Sequence, residues 1–259
     1  MSYVNCPGDR ILRHFALICA FLLCLLQLSA AADNEVFESR HASEDVGLST
    51  DPWSAFWKDA GVTYADKGKN GGDVGRYRTE IRSRWTKDNL YFLYICPYKT
   101  LYLKPQPQTS AETYQLWDWD VAEVFLGTDF KNIRKYKEFE ISPQAEWIDL
   151  DIDLTKPHHE DGWTWNSGFV VAARVDRESR VWYGAMRIPF SALGVQSPKN
   201  GDEFRINLFR SQGPPSQRVQ ITWRPTMRET FHVPERFGVL RLKGGPRVVG
   251  SCKAPQVSQ

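Results

Sequence analysis

Between Tyr114 and Asp129 the chain reads YQLWDWDVAEVFLGTD: Trp117 and Trp119 alternate with Asp118 and Asp120, and Glu123 follows inside an apolar run. These side chains suit a small set of chemistries. An indole offers a large flat face that stacks on the apolar side of a sugar ring, and a carboxylate accepts hydrogen bonds from its hydroxyls. Two carboxylates facing each other across ~5–10 Å would cleave glycosidic bonds. Carboxylate oxygens also hold hard cations. Packing competes with all three, with an arginine of RTEIRSRW (Arg78 to Trp85) neutralising Glu123.

The element that carries Glu123 reads as a strand from Val121 to Leu126. Strand side chains alternate, so Ala122, Val124 and Leu126 share the core face and Val121, Glu123 and Phe125 share the other. Glu123 is therefore expected outside the deep core, on a face partly covered by aromatic groups. Six extended residues span ~20 Å, so Trp117 reaches the neighbourhood of Glu123 only if the segment Trp117–Asp120 bends back. Asp118 and Asp120 suit that bend, because aspartate closes turns through its own backbone. Both are expected to be structural and not catalytic.

The rest of the chain reads as strands too. DNLYFLYIC, KEFEIS, EWIDLDIDL, GFVVAARV, VWYGAMRI, EFRINLFR, VQITW and FGVLRL are short and rich in aromatic and β-branched residues, with Gly, Pro, Asn and Asp between them. With RTEIRSRW and VAEVFLG they predict about ten strands: an all-β, jelly-roll-like β-sandwich. One short N-terminal helix is predicted over PWSAFWKDAG, with Asp51 as cap and Trp53, Phe56 and Trp57 on one face.

Residues 1–32 read as a cleavable signal peptide. Arg10 and Arg13 precede the fourteen apolar residues Phe15–Leu28, and small residues follow up to Ala32. A membrane span needs ~20 residues, so the chain is expected in a secreted or periplasmic location, with no membrane partner beyond the export signal. Residues 33–50 read as a polar lead-in, 51–242 as the sandwich and 243–259 as a flexible tail. A formal net charge of +2, with acids and bases interspersed, gives no basic block for nucleic acid. After processing only Cys96 and Cys252 remain, and their spacing fits no zinc motif.

Two further clusters invite chemistry. WIDLDIDL puts Asp149, Asp151 and Asp153 on one strand face; structural calcium is one use, but neighbours there sit ~7 Å apart, so a solvated face is the simpler expectation. KPHHEDGWTWN sets His158 and His159 beside Trp163 and Trp165. Adjacent histidines on an extended chain point to opposite sides, which suits a surface loop over a packed indole. No nucleophile elbow, P-loop or paired-histidine helix is present, and no enzyme is predicted.

Five segments, in order, resemble the family 9 carbohydrate-binding modules and their DOMON-like relatives: TEIRSRWTKDNLYFLYICPY, LWDWDVAEVFLGTD, YKEFEISPQAEWIDLDID, WYGAMRIPFSALG with GDEFRINLFR, and ITWRPTMRETFHVPERFGVLRL. The resemblance covers roughly Asp51 to Leu242. It implies a non-catalytic domain that grips a carbohydrate ligand between two aromatic rings and supports polysaccharide breakdown or uptake. By motif position Trp117 matches the first ring, Phe231 the second and Glu123 a hydroxyl-binding acid. The family's sugar-binding arginine falls at Glu140, a reversed charge that bears on the sugar type, with Arg228 in a nearby loop as the compensating cation. No cofactor is implied beyond structural calcium. The alternatives are a haem-binding DOMON-type electron-transfer domain, for which Met186 and Met227 are the methionines at hand, and a ligand-free structural or interaction β-sandwich.

Overall fold

The computed structural model describes residues 35–245. The expected signal peptide over 1–32, the part of the expected tail beyond Gly245, and Cys252 lie outside the described residues. Thirteen strands run as β1 (Val36–His41), β2 (Gly61–Ala65), β3 (Lys67–Gly68), β4 (Thr79–Trp85), β5 (Asn89–Pro97), β6 (Val121–Gly127), β7 (Lys135–Ile141), β8 (Trp147–Asp153), β9 (Val170–Asp176), β10 (Val181–Pro189), β11 (Glu203–Gln212), β12 (Val219–Thr222) and β13 (Gly238–Lys243). The added strands are β1 and the short β2 and β3, whose apolar content is too low to signal a strand.

Hydrogen bonding connects the strands in the order β8-β7-β6-β11-β13-β1-β4-β5-β10-β9, with β12 on β11 and β2 on β4. This continuous sheet folds over on itself as a sandwich. Val124 and Leu126 of β6, Phe139 of β7 and Leu208 of β11 share one buried cluster with Ile81 of β4, Phe92 of β5 and Met186 of β10. The Tyr94 hydroxyl crosses between the layers and donates to the Glu123 carbonyl at 2.6 Å. Two further clusters cover the outer faces. One lies over β6, β7, β8 and β11. The other packs Trp57 on Tyr91, Leu93 and Ala185. Cys96 has no disulfide partner among the described residues and is buried in the central core, where burial pushes its thiol up to about 12.

The polar lead-in over 33–50 is corrected: β1 lies between β13 and β4 and runs parallel to both. Its alternation, VFESRH, buries Phe37 and Ser39 while Glu38 and Arg40 face outward. Only two inward side chains, one of them a serine bonded to the Ser83 hydroxyl at 2.8 Å, leave little hydrophobic signal. The helix is also shorter than predicted, α1 (Ala55–Lys58). Trp57 is buried, but Trp53 is 85% exposed. Asp51 accepts from the Trp53 amide at 2.9 Å, which makes residues 51–53 a turn that faces Trp53 outward.

A chain beginning at Asp51 would leave β13 with an unpaired edge, free the Arg84–Trp85 end of β4 and remove Phe37 from the core. It is expected to lose cooperative thermal unfolding, whereas one beginning at Asp33 keeps it. Equal melting of the two would place the fold's edge at residue 51 after all.

Candidate functional site

All seven residues of β6 are buried, because both of its faces are covered. Ala122, Val124 and Leu126 enter the central core, and Val121 and Phe125 enter the outer cluster, the face assignment that alternation predicts. Glu123 lies on the outer face yet is only 3% exposed. It lies outside the central core as expected, but the cover is fuller than the partial one expected, because turns around residues 115–118, 159–164 and 230–237 roof that face.

Register then concentrates charge. Glu123 of β6 pairs with Glu140 of β7, and Glu138 lies two residues away on the same face. One oxygen from each of these three buried carboxylates lies within 4.8 Å of the others. The Ser211 hydroxyl donates to Glu123 Oε1 at 3.4 Å. Glu138 Oε2 and both Glu140 oxygens have no hydrogen-bond partner. Burial first, and then the neighbouring acids, raises Glu123 and Glu140 well above the usual carboxylate range. Burial raises Glu138 to about 7. Crowded, dry carboxyls disfavour the charged form. His232 responds in the opposite sense: burial and then His159 lower it to about 3, so it is neutral, and its Nδ1 pairs with the Tyr136 hydroxyl at 2.7 Å.

Above the acids opens a cleft of about 560 Å³, with Tyr114, Trp117, Phe231 and His232 among its walls and Glu123 and Glu138 at its base. Trp117 rides on a single 3-10 turn, Leu116–Asp118, entered through Gln115 in a left-handed conformation. Leu116 anchors the turn in the outer cluster. Arg218 holds it from the other side. Its terminal nitrogens donate to the carbonyls of Asp118 (3.0 Å), Gly213 (3.1 Å), Trp119 (2.5 Å) and Trp117. Asp120 ends the turn, accepting from the amides of Tyr102 (3.0 Å) and Gly213 (2.6 Å) and the Gln212 side chain (3.0 Å). This is the chain-shaping role expected of it. Asp118 is exposed within the same turn.

Trp117, Glu123 and Phe231 thus line one cleft, although Trp117 and Phe231 stand 114 residues apart in sequence. Trp117 is half-buried and meets Tyr114 edge-on at 5.5 Å. Phe231 is 8% exposed, with one face stacked on Phe209 at 4.2 Å and 10°, so only its other face and its edge are left for a ligand. Glu140 sits beneath, fully buried. Arg228 is not brought in: it lines a separate hollow with Thr226, Met227 and Glu235. The arginine at the cleft is Arg218, which the sequence reading missed along with Tyr114, Glu138 and His232. Tyr114 and Glu138 carried a signal, since one opens the quoted stretch and the other shares a period-2 face with Glu140. Arg218 and His232 carried none, because long-range folding alone brings them here.

The other clusters are packed. Asp151 pairs with Lys137 at 2.7 Å and Asp153 with Lys135 at 3.2 Å across the β7–β8 ladder, and Asp149 accepts from the Ser167 hydroxyl at 2.5 Å. Trp163 leans on Tyr114 (5.2 Å), and Trp165 lies under the Lys137 ammonium (4.2 Å). Met186 is a core residue, and Met227 is 55% exposed.

The model of the family described as carbohydrate family 9 binding domain-like matches residues 52–245. The chain belongs to this family. Its fold is similar to a family 9 carbohydrate-binding module from Caldicellulosiruptor kristjanssonii solved in complex with cellotriose, with a TM-score of 0.58 at 14% identity over 85% of this chain and 100% of that one. The same comparison with a glucose complex from that organism gives 0.59 at 13% identity over 83% and 100%. At these identities the likeness speaks to the fold, the β-sandwich predicted from sequence. An extracellular protein of Arthroderma benhamiae is 22% identical over 151 residues, 54% of this chain, and the chain spans 66% of that relative's length.

The acid cluster makes stability depend on pH. An acid with a raised folded pKa favours folding fully below its unfolded value near 4.5, and that contribution is lost as pH rises through the folded value. Glu138 sets a window from about 4.5 to about 7, which Glu123 and Glu140 extend upward. His232 works the other way, losing stability as pH falls from about 6.5 toward 3. Glu140→Gln removes one charge from the cluster. It is expected to raise Tm at pH 8 by roughly 2–4 °C per kcal/mol of relieved repulsion and to change it little at pH 4.5. The same shift at both pH values would contradict the account of the cluster.

Proposed function

We propose that this chain is an exported, non-catalytic carbohydrate-binding domain whose ligand lies in the cleft between Trp117 and Phe231 and that supports polysaccharide breakdown or uptake. The observation that carries the reading is the convergence of both rings and Glu123 on one cleft, in a chain of this family. Trp117 supplies a stacking face, and the free side of Phe231 supplies a smaller one. Glu123 accepts from a hydroxyl at the base, and Gln220 and Thr230 add polar partners along the wall. The neighbours solved with cellotriose and glucose make β-linked glucose the first ligand to try.

We read the acids as serving binding without turnover, with Asp118, Glu160 and Glu229 at the rim and Glu123 and Glu138 at the base. Asp120 is fully engaged by three donors. Glu123, Glu138 and Glu140 crowd within 4.8 Å on one side of the cleft. Hydrolysis needs two carboxyls on opposite sides of the scissile bond. The apolar stretch after Arg10 and Arg13 supports export, with the mature chain starting near Asp33.

Calorimetric titration with cellotriose tests the site. Trp117→Ala should weaken binding by tenfold or more, about 1.4 kcal/mol, while leaving Tm within a few degrees, because the ring is half exposed. Phe231→Ala should lower both affinity and Tm, since it also opens a void against Phe209. No reducing sugar should be released by the unmodified protein. Unchanged affinity in Trp117→Ala, with sugar still bound, would move the site elsewhere.

A further inference from the structure

The base of the cleft is more acidic than a site for a neutral sugar requires. Glu138 is 3% exposed, lines the cleft, and leaves Oε2 without a hydrogen-bond partner. Glu123 lies beside it, and Glu140, with both oxygens unpartnered, lies directly behind. Asp118, Glu160 and Glu229 line the rim, where Glu229 is paired with Lys69 at 2.5 Å and Glu160 lies 3.5 Å from His158 and 3.7 Å from His159. Against them the lining offers one guanidinium, that of Arg218, whose terminal N–H groups are all committed to backbone carbonyls. His232 is held neutral by burial and so adds no cation. A buried carboxyl without a hydrogen-bond partner is costly to ionise, and an adjacent cation lowers that cost.

We propose that the ligand of this cleft is a positively charged amino sugar, a hexosamine unit whose ammonium group seats against Glu138 and Glu123. This rests on the reading of the cleft as a sugar site and names the class of sugar. An ammonium has three N–H donors and no acceptor, and it brings a charge that favours the ionised form of the acids at the base. A hydroxyl at the same position brings one donor and no charge. The two rings remain to stack on the sugar's apolar face, and Glu140 lies behind the two acids, outside the lining of the cleft. A divalent cation fits less well. Calcium takes six to eight oxygen ligands, whereas Glu123 and Glu138 are the two members of the triad that reach the cleft.

The test compares three trisaccharides of equal ring number on the full mature protein at pH 6.5: β-1,4-linked glucosamine, its fully N-acetylated form, and cellotriose. Trp117→Ala serves as the control for the cleft. The glucosamine trimer is expected to bind at least about tenfold more tightly than both neutral trimers, as a charge-assisted hydrogen bond would allow. That preference should shrink several-fold in Glu138→Gln and vanish in Trp117→Ala. Equal affinity for all three overturns the amino-sugar assignment and leaves the sugar site standing. Binding of none overturns both. A parallel titration with calcium chloride that shows binding lost in Glu140→Gln, with no preference for the amine, identifies a metal site and likewise overturns the proposal. Should Glu138→Gln fail to fold, the ranking of the three trimers on the unmodified protein still decides.

Discussion

The Arg218 guanidinium fixes the one piece of this cleft that strand pairing does not. Strands set Glu123, Glu138 and Glu140 by register, but Trp117 sits on a three-residue turn with no ladder of its own. Four backbone carbonyls, three of them from Trp117, Asp118 and Trp119, converge on that one side chain. The planar fork suits this task, because its donors point outward in a fixed pattern. Asp120 completes the arrangement by joining the turn's end to Tyr102 and Gly213. The stacking ring is therefore held on a rigid mount, and the same cation faces the acids below. Its charge favours their ionised forms, though less than burial opposes them.

Much of this architecture is readable from alternation. VAEVFLG divides into an inner and an outer face as period 2 requires, and Asp120 before it ties the turn's end to Tyr102, Gln212 and Gly213. What alternation does not tell is which faces are roofed. Glu123 looked half-exposed because its own strand has no means of announcing the turns that arrive from residues 159–164 and 230–237. The same limit hid β1. Its two inward side chains make sense only beside β4 and β13. Trp53 shows the converse error, since an apparent helical face dissolved once Asp51 was seen to close a turn.

Three unpartnered carboxyl oxygens, Glu138 Oε2 and both of Glu140, lie together under the cleft. The acids of WIDLDIDL find lysines across the ladder or a serine, and most polar groups of the outer layer are paired. The acids under the cleft are not, and they draw Glu123, Glu138 and Glu140 away from their ordinary titration. Natural chains carry such costs at binding sites. Glu140, where the resemblance implies an arginine, is fully buried behind the other two acids. On this account the unpartnered acids belong with the site's selectivity, while the stacking rings belong with its grip on any sugar.

The most direct measurement of the central claim is a two-dimensional NMR titration of the 15N-labelled protein with a β-linked trisaccharide. The account predicts shifts in the Trp117 indole N–H and in the amides of residues 114–118 and 230–232, while the exposed Trp53 indole stays in place. Shifts centred on Trp53 or on the Asp151–Lys137 face, with the Trp117 indole unmoved, would contradict it.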